Sequence, residues 1–230
     1  MIIVRVEDAS YRTEEVLHQR YDRLSEQRQN KVRKCKQTSR KIESIMAGFA
    51  LEDELQKLGI SHPYEYYFDE DGKPWLKNDD EIDFSITHSK PVVAVAIGRQ
   101  DLGVDIEHIT EQMSAEMSEQ NTRLARRFFL EEEYQWIMED KQLAAARFYQ
   151  IWTFKEAVAK CLRISLPNVL SNINYLQEFP AREIAGDVKE KNIWIHQWKG
   201  TDWMMTLCVQ GEEELIKLEL EENERCTLIR

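Results

Sequence analysis

Residues Ile82–Ile109 read IDFSITHSKPVVAVAIGRQDLGVDIEHI. Short apolar runs rich in Val and Ile stand here between punctuation marks: Ser89-Lys90-Pro91 ahead of Val92–Ile97, then Gly98-Arg99-Gln100-Asp101 ahead of Leu102–Ile109. Runs of this length bounded by Gly, Pro and Asp are strands, and their close spacing predicts three antiparallel strands in a meander. Upstream, Tyr64, Tyr66 and Phe68 alternate with polar residues, Asp71-Gly72-Lys73-Pro74 supplies a turn, and Trp75-Leu76 resumes, which predicts a hairpin.

The flanks are helical. Ile42, Ile45, Met46, Phe49, Leu51, Leu55 and Leu58 recur at three and four, and Gly59 ends that helix. Downstream, a helix is predicted between Ala115 and Leu130, another opens on Glu131-Glu132-Glu133, and the longest runs from Gln142 to Leu162 with Phe148, Ile151, Trp152 and Val158 as its buried stripe. Strands return at Ile193–Trp198 and Met204–Val209. Gly211–Arg225, rich in Glu, is an edge strand or a frayed tail. Helix, strands, helices, strands is the order of a segregated α+β fold rather than a βαβ alternation. The predicted division gives an N-terminal α+β half at 1–108 and a C-terminal α+β half at 109–230.

Composition bounds the function. The chain has 230 residues and a net charge of −11, which disfavours nucleic acid as a partner. Its longest uninterrupted apolar run, Val92–Ile97, is far short of the ~20 residues a spanning helix needs, so no membrane segment is expected. Cys35, Cys161, Cys208 and Cys226 are scattered without metal-ligand spacing, a pattern that suits a reducing cytoplasm. Against the acidic background, Arg28–Lys41 carries seven cations and no acid. It is a solvated helix face or a local anion site.

Four fragments could carry chemistry. In Gly103-Val104-Asp105-Ile106-Glu107 the two acids leave one face of a strand, half of a magnesium site or ordinary strand alternation. In Trp152-Thr153-Phe154-Lys155-Glu156-Ala157-Val158-Ala159-Lys160, the residues Trp152, Glu156 and Lys160 share a helix face. That face is an exposed ion pair, or a carboxylate beside an aromatic and between two lysines, suited to a metal and a phosphate. Thr87-His88-Ser89 ends a strand in hydroxyl, imidazole, hydroxyl, and Gly72-Lys73-Pro74 presents a lysine on a turn. A structural histidine and a solvated loop lysine are the plain alternatives.

Taken in order, Gly72-Lys73-Pro74, Thr87-His88-Ser89, the G-x-D-x-E of Gly103–Glu107, Arg127-Phe128-Phe129 with Glu133-Tyr134, and the W-x-x-K-E-A-x-x-K of Trp152–Lys160 resemble the 4′-phosphopantetheinyl transferases of the surfactin-synthetase-activating (Sfp-type) class. The resemblance spans roughly Lys31 to Leu166. It implies two pseudo-twofold-related α+β halves in one chain with the active site at their interface. It also implies transfer of the phosphopantetheine arm of coenzyme A to a serine of an apo acyl or peptidyl carrier protein, releasing adenosine 3′,5′-bisphosphate. By the same resemblance Asp105, Glu107 and Glu156 bind Mg2+, and Glu156 and Lys160 are the catalytic pair. Coenzyme A is then held by Lys31, Lys34, Lys73, Thr87, His88, Lys155 and Lys160. The family typically has glycines at the positions of Arg163 and Ser165, which bears on the path of that loop. A cytoplasmic monomer is implied. Two other classes of function share parts of this logic: a non-catalytic module binding coenzyme A or a carrier protein, and a magnesium-dependent nucleotide pyrophosphate hydrolase.

Overall fold

The structure, a computed structural model, describes residues 1–10, 12–61, 63–69, 72–77, 79–110, 117–177, 192–220 and 225–230. In chain order its elements are β1 Ile2–Asp8, α1 Glu14–Arg23, α2 Glu26–Lys34, α3 Thr38–Lys57, β2 Tyr66–Phe68, β3 Pro74–Leu76, β4 Asp83–Ser89, β5 Val92–Gly98 and β6 Asp101–His108. There follow α4 Glu119–Phe128, α5 Glu131–Met138, α6 Ala144–Leu162, α7 Leu166–Asn172, β7 Ile193–Lys199, β8 Trp203–Gln210, β9 Ile216–Glu219 and β10 Thr227–Leu228. The fold is α+β. The chain forms two compact units, Met1–Gln100 with Glu214–Glu224, and Asp101–Glu213 with Arg225–Arg230.

The first unit holds a four-stranded sheet in the order β4-β5-β1-β9. β5 is buried along its whole length, so its Val and Ala run needs cover on both faces. The 20-residue α3 supplies one cover: Ala50, Leu51 and Leu55 pack with Phe84, Val95 and Ile97 in the core. This helix stops where glycine permits. Gly59 has φ +83°, its N–H bonds the carbonyl of Gln56, and the N–H of Ile60 reaches back to Leu55. Those two bonds are a Schellman closure, and Ile60 packs against the cluster that contains Leu55. Arg5 on β1 ties the sheet to α3 through Asp53 at 2.6 Å and Glu54 at 2.8 Å. The hairpin β2–β3 forms as the turn residues predict, with Tyr67 opposite Trp75. Asp71 of that turn lies outside the described residues.

The second unit holds the sheet β10-β7-β8-β6. α6 packs on it through Phe154, Ala157, Val158 and Cys161 against Met204 and Cys208. Contact between α6 and β6 is so close that a Cβ on Gly103 would come within 2.2 Å of the Ala157 carbonyl oxygen. Glycine is therefore required at that position by the approach of a helix backbone.

Two sequence expectations change. The meander ends after two strands: β4 and β5 pair, but β6 pairs with β8, with Asp105 opposite Thr206, while the free side of β5 is taken by β1. Arg99 and Gln100 carry the chain out of one sheet and into the other, a long-range choice that local punctuation does not encode. The order also begins with a strand, because Ile2, Ile3, Val4 and Val6 are buried in β1. The strand reading of the acidic stretch near the end is met by β9, parallel to β1 with Ile2 opposite Ile216. Residues 221–224 of that stretch, and 115–116 of the helix predicted from Ala115, lie outside the described residues.

Candidate functional site

The seam between β6 and α6, inside the second unit, gathers the carboxylates picked out by the two motifs. Three side chains one turn apart, Trp152, Glu156 and Lys160, line one face of α6. At one end, the Lys160 ammonium donates to Asp105 Oδ1 at 2.7 Å and to the Val104 carbonyl at 3.1 Å. At the other, the Trp152 indole N–H donates to Glu107 Oε1 at 3.2 Å. Glu156 lies between these two anchors on the helix. Its carboxyl is raised above the usual range, first by burial and then by the charge of Asp105, with Lys160 opposing. The Asp105 side is itself buried, at 5% exposure.

A carboxyl whose ionisation is disfavoured by burial and by a neighbouring carboxylate belongs to a set of hard oxygen donors whose repulsion a divalent cation relieves. The donor chemistry of Asp105, Glu107 and Glu156 therefore fits Mg2+. They are not drawn into a ready cage: among the described residues, no three His, Cys, Asp or Glu side chains stand close enough together to hold a metal ion.

Lys155 stands apart from this seam. One residue before Glu156 on the helix, it points to a different face, is fully buried, and ion-pairs with Glu133 at 2.7 Å. Its ammonium also donates to the carbonyls of Leu170 at 3.0 Å and Ile173 at 2.8 Å. Three donors thus meet three acceptors, and the ammonium does not flank Glu156 as the sequence reading expects. Burial pushes its pKa down, with Glu133 opposing. Glu133 also accepts from the backbone N–H of Leu130 and of Tyr175, so this one carboxylate joins the start of α5, α6 and the segment after α7.

The loop after α6 turns without glycine. Arg163 itself adopts the left-handed conformation, φ 57° and ψ 39°, and its guanidinium reaches Asp101 at 2.5 Å. Ser165 has φ −62° and ψ 139°, which any residue adopts, so only one of the two departures costs backbone strain.

The remaining candidates lie in the first unit. Lys73 on the hairpin is held by Asp83 at 2.5 Å and lies 5.0 Å from the Trp75 ring centroid. Thr87 and His88 are neighbours on β4 and so leave opposite faces: Thr87 is buried, while His88 is exposed at its side chain and bonds Glu43 at 3.2 Å. Lys31 and Lys34 are exposed on α2, and partial desolvation followed by the charge of Arg28 lowers the Lys31 pKa. Arg28 alone of the basic run's cations is buried, with its guanidinium 4.8 Å from the Tyr66 ring. Arg33 donates to the Tyr21 hydroxyl, and the lysines face outward.

Sequence reasoning missed Glu43, Asp83 and Glu133 as partners of His88, Lys73 and Lys155. None of the three pairings carries a local signal, because each is made across 10 to 45 positions of chain.

Residues 101–208 match the family model of the 4′-phosphopantetheinyl transferase superfamily. This range contains the whole β6–α6 seam. The chain is 36% identical over 92 residues to the 4′-phosphopantetheinyl transferase gsp of Aneurinibacillus migulanus, covering 40% of this chain and 35% of that protein. It is 32% identical over 118 residues to the 4′-phosphopantetheinyl transferase Sfp of Bacillus subtilis, 48% of this chain and 49% of that one. With the 4′-phosphopantetheinyl transferase pptA of Paxillus involutus it shares 27% identity over 197 residues, 76% of this chain and 68% of the fungal protein. The matched portions thus span a third to a half of the two bacterial relatives. Over the segment that builds the seam, the chain is thus similar to the 4′-phosphopantetheinyl transferase superfamily.

Proposed function

We propose that this protein transfers the 4′-phosphopantetheine group of coenzyme A to a serine hydroxyl of an apo acyl or peptidyl carrier protein, as a Mg2+-dependent enzyme that releases adenosine 3′,5′-bisphosphate. The observation that carries the reading is the seam of Asp105, Glu107, Glu156 and Lys160, anchored at both ends by hydrogen bonds and lying wholly within the segment matched to the superfamily. Proteins similar to this chain are named 4′-phosphopantetheinyl transferases.

Each side chain then has a task. Asp105, Glu107 and Glu156 would hold Mg2+, which when bound supplies positive charge to offset the pyrophosphate of coenzyme A. Lys160 adds a second cation at the same place, giving up its ion pair with Asp105 in part to a phosphate oxygen. Glu156 accepts the proton of the serine hydroxyl, directly or through a water, as the hydroxyl attacks the β-phosphorus in line. Thr87 and His88 bind the nucleotide phosphates, Lys73 is a further coenzyme A contact, and Lys31 and Lys34 reach the 3′-phosphate. With the three donors of Lys155 satisfied inside the core, its contribution is to fix α6 rather than to touch coenzyme A. No cysteine is needed, since phosphorus is the reacting centre and the pantetheine thiol is carried along. The reading places the protein in the cytoplasm as a monomer.

Incubation with coenzyme A, Mg2+ and a panel of apo carrier proteins tests the proposal by mass spectrometry of the carriers. Modification of at least one is expected. Release of phosphopantetheine without any carrier would instead identify a pyrophosphate hydrolase, and coenzyme A binding without either reaction a binding module.

A further inference from the structure

Glu43 is out of place on α3. It sits in the second turn of the helix at 5% exposure, where an ionised carboxylate requires partners to offset its desolvation. Its partners are the His88 ring, with Nδ1 at 3.2 Å from Oε2, and the Arg40 guanidinium one turn earlier at 3.7 Å. Close by, Met46 and Ala47 of α3 pack on Val93, the residue paired with His88 across β4 and β5. The carboxylate is thus set by the same packing that joins the helix to the sheet. The imidazole it meets remains partly open, with 37% of its side chain exposed.

We infer that Glu43 is a positioning residue for His88, holding the ring by Nδ1 so that Nε2 is presented to a phosphate of the nucleotide. An ionised carboxylate only accepts hydrogen bonds, so the contact places a proton on Nδ1 and fixes both the tautomer and the plane of the ring. A phosphate oxygen is also an acceptor, so the ring meets it as imidazolium, and the charge created there is offset by Glu43 with Arg40 opposing. The inference rests on the proposed role of His88 in binding coenzyme A.

Calorimetric titration with coenzyme A tests both, using the wild type, His88→Ala, Glu43→Ala, Glu43→Gln and the double alanine variant of the full chain. His88→Ala is expected to weaken binding about 10-fold, equivalent to about 1.4 kcal/mol, and Glu43→Ala about 5-fold. Because Glu43 acts through His88, the double variant should bind within about 2-fold of His88→Ala alone. Glu43→Gln keeps the volume and an accepting oxygen, and should lose less than Glu43→Ala. Nitrogen-15 NMR of the imidazole should show Nδ1 protonated in the wild type and a shift toward the other tautomer in Glu43→Ala, or in Glu43→Gln if the alanine variant does not fold. Three results overturn the inference while leaving the role of His88 intact: wild-type affinity in Glu43→Ala, an equal loss from Glu43→Ala in the presence and absence of His88, or an unchanged imidazole spectrum. Unweakened binding by His88→Ala overturns the role of His88 itself, and no binding by the wild type overturns the coenzyme A reading, and the inference falls with either.

Discussion

Glu156 pays for its position in stability, which gives its chemistry a signature independent of turnover. Its folded pKa is raised, so the folded protein holds that proton more tightly than the unfolded chain. Above the folded pKa the charged form costs stability, and below the ordinary carboxylate range both states are protonated and the cost vanishes. Glu156→Gln should therefore raise Tm at neutral pH in chelator, with a gain that shrinks as the pH falls toward the carboxylate range. Mg2+ should raise the Tm of the wild type more than that of the variant. A gain independent of pH, or a loss at neutral pH, would contradict the electrostatic account of the seam. Transfer by the variant should fall at least about 100-fold, in line with loss of a positioned proton acceptor. Lys155 behaves oppositely. Lys155→Met strands Glu133 in the core and should cost about 3–5 kcal/mol in denaturant unfolding, while adding Glu133→Gln should recover a measurable part. Equal stability of wild type and Lys155→Met would show that the pair does not hold the helix.

At the scale of elements, the tight approach of α6 to β6 is the feature that brings Lys160 to Asp105 and Trp152 to Glu107. Gly103→Ala forces a Cβ against the backbone at Ala157 and Cys161, neither of which can rotate away. It should destabilise the second unit by about 1–3 kcal/mol and disturb the seam; an intact Tm would mean that the helix shifts freely. Much of this was legible in the sequence. The apolar period of α3 and α6, the Gly59 stop and the two carboxylates on one strand face are local signals, and each is found where its spacing implies. The third strand of the expected meander was not legible, because whether Leu102–Ile109 turns back on β5 or joins β8 depends on a competition with β1, at the far end of the chain. Lys155 misled for a related reason: helix spacing gives its direction, but not that Glu133, Leu170 and Ile173 wait there to receive it.

The whole molecule has a net charge of −11, which argues against polyanion partners when taken as an average. The placement of charge says more. Arg28 and Arg33 of the basic run are engaged with aromatic side chains of their own unit, while its lysines lie at the surface, Lys31 partly desolvated. Each unit builds a four-stranded sheet under one long helix, and each carries part of the residue set that the family resemblance implies. The superfamily match covers the second unit's seam and stops short of Lys73, Thr87 and His88, so the proposed nucleotide contacts rest on motif resemblance alone, whereas the proposed metal ligands lie inside the matched segment. The most direct test of the central claim is intact mass spectrometry of an apo carrier protein after incubation with this protein, coenzyme A and Mg2+, beside the same mixture with Glu156→Gln and the same mixture in chelator. The account expects the carrier to gain one phosphopantetheine on its serine in the first mixture and almost none in the other two. A panel of carriers left unmodified by the wild type, or modified equally by Glu156→Gln, would contradict it.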